Sequence, residues 1–245
     1  MKGEKVLFVT GASSDVGMAL LKKIATNYSV VYAHYFSSDQ RLMELDQTLS
    51  NTKIIPVQAD FNSLEDTKKL AEKFKTEFLL PDDVVYLAAE PIQNIAVKKA
   101  KWELFEKQLH TGLRSIVETA QIIVPNMMKR KSGHIVIMLS HMVVCQPTSK
   151  HILPYITAKY AMLGLMKALS SECAGTGVTV NAISPAMMET KFLANMHPLT
   201  IEKNASESPM GRNLTLDEVI PTIEYLLSDA SACVTGQNIA ITGGA

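Results

Sequence analysis

Val6-Leu7-Phe8-Val9-Thr10-Gly11-Ala12-Ser13-Ser14-Asp15-Val16-Gly17 is the stretch whose reading decides the fold. Four consecutive apolar residues have the length of a strand buried on both faces. Thr10-Gly11 then turns the chain sharply, and glycine there lets the backbone approach a ligand with no side chain in the way. A helix begins near Val16. Its first amides have no partner within the helix, and the positive end of its dipole suits an anion such as a pyrophosphate. A glycine-rich turn is weak evidence alone, but between the first strand and the first helix it stands in the required context.

The same alternation runs through the chain. Apolar runs of strand length cover 5–10, 29–35, 53–58, 83–88, 134–139, 179–183 and 237–241. Between them lie stretches at helical spacing, such as Leu64, Thr67, Lys68, Leu70, Ala71 and Phe74. Strands alternating with helices predict an α/β fold, a doubly wound parallel sheet of about seven strands with helices on both faces. Residues 1–245 read as one domain. The long irregular segment is 186–213, with Pro198, Pro209, Gly211 and the four methionines Met187, Met188, Met196 and Met210. A stretch of that length in a compact domain predicts a functional loop, here a lid over a substrate site. Its methionines suit an adaptable apolar pocket.

Composition narrows the partners. Lys plus Arg and Asp plus Glu both total 24, so the formal net charge is zero and no field is aimed at nucleic acid or an anionic membrane. With 47% hydrophobic residues the chain can bury a large core. Cys145, Cys173 and Cys233 are far apart, with no metal-type spacing, which predicts buried thiols in a reducing compartment and no metal site. The N-terminus, with Lys2 and Lys5 before Val6–Val9, carries no apolar run of signal-peptide length, so a cytoplasmic protein is expected. Lys129-Arg130-Lys131 could meet an acidic carrier protein, but cations at a helix C-terminus also simply complement the dipole.

Tyr155-Ile-Thr-Ala-Lys159 places a phenol and an ammonium four residues apart, on one face of a helix. A phenol must drop about three pKa units to act as a base near neutrality, roughly 4 kcal/mol. A cation about 4 Å away at an effective dielectric of 20 supplies that much.

The glycine-rich turn, the Tyr-x-x-x-Lys pair and Ser140 at the end of Gly133-His-Ile-Val-Ile-Met-Leu-Ser140 together resemble the short-chain dehydrogenase/reductase family, nearly end to end. Pro209-Met-Gly-Arg212, Asp217-Glu-Val219 and Val234-Thr-Gly-Gln237 with Gly243-Gly244 resemble the closing part of bacterial 3-oxoacyl-acyl-carrier-protein reductases. The resemblance implies a Rossmann-type fold and a nicotinamide cofactor. It implies that Tyr155 exchanges a proton with a carbonyl or alcohol oxygen, that Ser140 hydrogen-bonds the same oxygen, and that Lys159 lowers the phenol's pKa and binds the nicotinamide ribose. It assigns the cofactor to Gly11, Ser13, Ser14, Asp15, Val16 and Gly17 at the first turn, and to Ser37 and Ser38 after the second strand. Asp60 and Phe61 follow the third strand, Ala88 and Ala89 the fourth. Pro185, Met188 and Thr190, with Tyr155 and Lys159, complete the nicotinamide side. A small carbonyl or alcohol substrate follows, and a homo-oligomer, tetramer or dimer, formed by the helices at about 101–129 and 155–173.

Departures from the family pattern are equally specific. Asp15 replaces a glycine of the first turn, as a helix N-cap or as a charge that repels a pyrophosphate. Leu87, Ala88 and Glu90 stand where the family has two asparagines and a glycine, and an outward, solvated Glu90 is expected. Gly112 falls at the helix asparagine that orders a proton-relay water, so an asparagine there would restore the relay. Ala186 stands where Pro-Gly is usual. After the second strand Tyr35 and Phe36 supply no acidic residue for ribose hydroxyls, which favours NADP(H) over a still possible NAD(H), although no arginine or lysine adjoins Ser37, Ser38 or Ser14. From these departures the rival reading is a cofactor-binding pseudoenzyme or interaction protein.

Overall fold

The structure, a computed structural model, describes residues 5–145 and 149–244. Lys2, Ala245 and residues 146–148, part of the 142–154 segment expected beside the pocket, lie outside them.

Strands β1 (Val6–Thr10), β2 (Val30–Tyr35), β3 (Lys53–Gln58), β4 (Asp83–Tyr86), β5 (Gly133–Met138), β6 (Val178–Pro185) and β7 (Asn238–Ile241) form one sheet in the order β3-β2-β1-β4-β5-β6-β7. Every pairing is parallel. Alternate residues of each strand feed two cores, because successive side chains of a strand point to opposite faces. Leu7, Val9, Val31, Val85 and Val136 enter one core, with helices α1 (Asp15–Ile24), α2 (Gln40–Asp46) and α8 (Leu216–Leu226). Val6, Phe8, Tyr32, Val84 and Ile135 enter the other, with α3 (Leu64–Thr76), α5 (Ser115–Arg130) and α6 (Leu153–Glu172). The strand order reverses between β1 and β4, which opens a crevice at their carboxyl ends.

Five expectations are corrected. Of the three thiols expected to be buried only Cys173 is, while Cys145 is half-buried and Cys233 exposed. Strand β4 stops at Tyr86, not Ala88, because the Thr10 hydroxyl draws in the amides of Leu87 and Ala88 at 3.1 and 3.2 Å. The helix expected at 101–129 is broken into α4 (Trp102–Leu109), a π-turn His110–Arg114, and α5. Gly112 lies in that turn, where an added Cβ would stand 2.8 Å from Met162 Sδ of α6, so a packing reason for the glycine exists. The irregular segment 186–213 holds a short 3₁₀ turn Lys191–Leu193 and helix α7 (Pro198–Glu207), started by Pro198 and by His197 accepting from the Leu199 amide. Helix α1 begins at Asp15, and Ser14 is its N-cap, accepting from the Gly17 amide at 3.1 Å. Among the described residues no helix is long and apolar enough to cross a membrane.

Candidate active site

The carboxyl ends of β1 to β6 surround a cavity of about 930 Å³. Its floor at β1 is the glycine-rich turn. Gly11 has φ +66°, and a Cβ there would come within 3.0 Å of the Ala88 backbone, so only glycine lets β1 and β4 close up at the switch point. Ser13, Ser14, Asp15 and Val16 line the cavity. Gly17 does not: it is buried against Ala12, where a Cβ would collide with backbone.

A residue that sequence reasoning missed holds this turn. His34 of β2 is buried, and its Nδ1 accepts from the Gly11 amide at 3.0 Å. Nε2 therefore carries the hydrogen and donates to the Ala59 carbonyl at 3.1 Å. The ring stacks on Phe61, centroids 4.0 Å apart, and burial pulls its pKa down to about 4. One neutral imidazole thus fixes the ends of β1, β2 and β3 together.

On the outer side Ser37, Asp60 and Phe61 line the cavity, and Asp60 Oδ1 accepts from the Asn62 amide at 2.8 Å. Ser38 turns away, its hydroxyl against the Gln40 amide at 3.4 Å. No basic residue was expected beside Ser37, yet Arg41 from α2 reaches the same wall. Arg41 Nη1 donates to the Ser13 carbonyl at 3.1 Å and to Asp15 Oδ1 at 2.9 Å. Asp15 is not the cap it was expected to be; burial raises its pKa, but the Lys191 amide and Arg41 more than reverse this and hold the carboxyl below its usual range.

Ala88, Ala89 and Glu90 line the inner wall. Glu90 is not outward and solvated: its Oε1 accepts from Thr111 Oγ1 at 2.7 Å and from Asn62 Nδ2 at 2.8 Å. Gln108 donates to the carbonyls of Glu90 and Pro91, both at 3.3 Å. The loop that lacks the family's two amides is thereby anchored to α4 and the π-turn instead.

Ser140, Tyr155 and Lys159 converge on the same cavity and are 7%, 7% and 4% exposed. Lys159 Nζ lies 5.6 Å from the Tyr155 ring centroid and donates to the Met138 carbonyl at 2.9 Å. Burial pushes the phenol up, the neighbouring Ser140 hydroxyl offsetting part of the rise, and it pulls the ammonium down to about 8. Lys159 was expected to lower the phenol; burial raises it instead, and the offset comes from Ser140. Pro185, Met188 and Thr190 close the far wall, with Met187 and Met196. Met210 does not line the cavity; it packs where a Cβ on Gly243 would go. Phe192 faces Tyr155, ring centroids 6.2 Å apart.

The residues fit a dinucleotide. Gly11 lines the cavity without a side chain, the α1 N-terminus faces the cavity, and the Asp15 charge there is balanced by Arg41.

The family described as enoyl-(acyl carrier protein) reductase matches residues 11–245. A relative named 3-oxoacyl-[acyl-carrier-protein] reductase, from Thermotoga maritima, is 29% identical over 98% of this chain and 97% of its own. A crystal structure of a candidate NAD(P)-dependent gluconate 5-dehydrogenase from Beutenbergia cavernae, with NADP bound at low occupancy, is 27% identical. It superposes with TM-score 0.86 over 98% of this chain and 96% of that one. A 3-oxoacyl-[acyl-carrier protein] reductase from Brucella melitensis with bound NAD, 22% identical, shares the fold at TM-score 0.85 over 98% and 90% of the two chains.

Proposed function

The chain belongs to the short-chain dehydrogenase/reductase family of oxidoreductases, and from that membership we propose that it interconverts a carbonyl compound and a secondary alcohol with NADP(H). The observation that carries this reading is the convergence of buried Tyr155 and Lys159 with Ser140 on the cavity that the glycine-rich turn also lines. Bound against that turn, the nicotinamide cofactor supplies or accepts the hydride. Tyr155 gives its proton to the carbonyl oxygen as negative charge develops there, and Ser140 donates a hydrogen bond to the same oxygen. A phenol raised by burial holds its proton until an acceptor arrives, which suits the reductive direction. Burial pulls Lys159 down to about 8, and its protonated form would give the phenolate left on Tyr155 a nearby cation.

Preference for NADP(H) is supported by the absence of an acidic side chain at Tyr35 and Phe36 and by Arg41 on the wall with Ser37. Segment 186–213 is read as the substrate lid, with Met187, Met188 and Met196 as its apolar lining. Since one relative is named a 3-oxoacyl-carrier-protein reductase, 3-oxoacyl thioesters head the substrates to try.

NADPH and NADH titrated by nicotinamide fluorescence should bind with NADPH the tighter, and an equal or reversed order removes the NADP assignment. With ketones and 3-oxoacyl thioesters assayed, Tyr155→Phe should lower turnover by about 10²- to 10⁴-fold while nucleotide still binds. A folded wild type that binds neither nucleotide would favour a non-catalytic protein.

A further inference from the structure

Asp15 joins two parts of the chain 176 residues apart. Its Oδ2 accepts the Lys191 amide at 2.8 Å, while its Oδ1 is held by Arg41 Nη1 at 2.9 Å. Lys191 opens the 3₁₀ turn Lys191–Leu193, in which Leu193 is buried and Phe192 faces the Tyr155 ring at 6.2 Å. Segment 186–213 is closed at its base by a bridge between Met188 and Leu214, with the Leu214 amide on the Met187 carbonyl at 2.9 Å. Beyond that base, the Asp15 bond fastens the segment to the start of α1. A glycine at position 15 would offer no acceptor, and the Arg41 cation allows a carboxylate to sit there beside a turn built for an anion.

We propose that Asp15 is a positioning residue whose carboxylate clasps segment 186–213 to the glycine-rich turn through the Lys191 amide, and so holds Phe192 against Tyr155. The proposal rests on the reductase reading only in taking Tyr155 as the proton donor.

Hydrogen exchange of the Leu193, Ala194 and Met196 amides, which bond within the segment, tests the clasp on the cofactor-free protein. Asp15→Ala should speed their exchange about tenfold, the loss of one charge-assisted hydrogen bond. Asp15→Asn keeps an acceptor oxygen and should stay within about threefold of wild type. Lys191→Pro removes the amide donor at a first helical position, after an extended Thr190, together with the Lys191 ammonium, and should match Asp15→Ala. In turnover, Asp15→Ala should lower kcat about fivefold or more, with no tightening of dinucleotide binding, and Asp15→Asn should restore most of it. Unchanged exchange in folded Asp15→Ala and Lys191→Pro, or Asp15→Asn exchanging as fast as Asp15→Ala, overturns the clasp. Should no substrate turn over even in wild type, the reductase reading falls while the exchange result still decides the clasp.

Discussion

His34 is the residue on which the most geometry depends for the least sequence signal. It stands fifth in the apolar strand Val30–Tyr35, and its partners Gly11 and Ala59 lie 23 and 25 residues away, just past the ends of the neighbouring strands. Unfolded, it takes up a proton near pH 6.5; folded, only near 4, because the buried ring disfavours charge and Nδ1 is already accepting from Gly11. Its contribution to stability is thus complete above pH 6.5 and is lost as pH falls toward 4, roughly 3 kcal/mol in all. His34→Phe keeps a ring against Phe61 but makes neither hydrogen bond. It should be less stable than wild type by about 2 kcal/mol at pH 7, and the gap should close by pH 4.5. Urea unfolding of both proteins at the two pH values measures this; a gap that does not shrink means that His34 does not titrate as its burial requires.

At the scale of elements, the break between α4 and α5 was partly readable. Gly112 marks it in the sequence as a glycine inside a helical pattern, but what the missing side chain makes room for, Met162 on α6, lies 50 residues away in the chain. That contact changes what a restored asparagine would do. Any side chain at 112 must push the Met162 sulfur aside, so Gly112→Asn should destabilise the fold by about 1–3 kcal/mol rather than simply supply a relay amide. Met162→Ala opens the space. The double variant should therefore lose less than the sum of the two single variants, by about 1 kcal/mol in a denaturation cycle. Strict additivity would remove the packing explanation. The anchoring of Glu90 by Thr111 and Asn62 belongs to the same scale: a lone Glu in an apolar strand end reads as solvated until the π-turn brings Thr111 under it.

Across the whole molecule, the α4 and α6 side keeps apolar surface uncovered. Trp102 is 63% exposed and Tyr160 and Leu153 are each 40% exposed. Family resemblance assigns these helices to subunit pairing, and exposed aromatic residues are the type that interfaces bury. Homo-oligomerisation through this side should place the single tryptophan in an apolar contact. Trp102→Glu should lower the mass seen by light scattering to that of a smaller species, and diluting the wild type should shift its tryptophan emission to the red. A wild-type monomer at micromolar concentration would show that this face is not an interface between copies.

The sequence by itself determined the layered α/β plan, the glycine-rich turn and the placement of Ser140, Tyr155 and Lys159. Strand length, helical spacing and the motifs that carry these features are local, and a parallel α/β chain writes them in order. Only the tertiary structure decided where the charges went. Asp15 is neither simple cap nor unbalanced repulsion, because Arg41 and Lys191 arrive from distant elements. Glu90 turns inward because the π-turn offers it a hydroxyl. The Tyr155 phenol is pushed up because burial outweighs the Ser140 hydroxyl beside it, while Lys159 bonds a backbone carbonyl. Each depends on desolvation and on partners brought together across the sheet, and neither is a property of the residues adjacent in the chain.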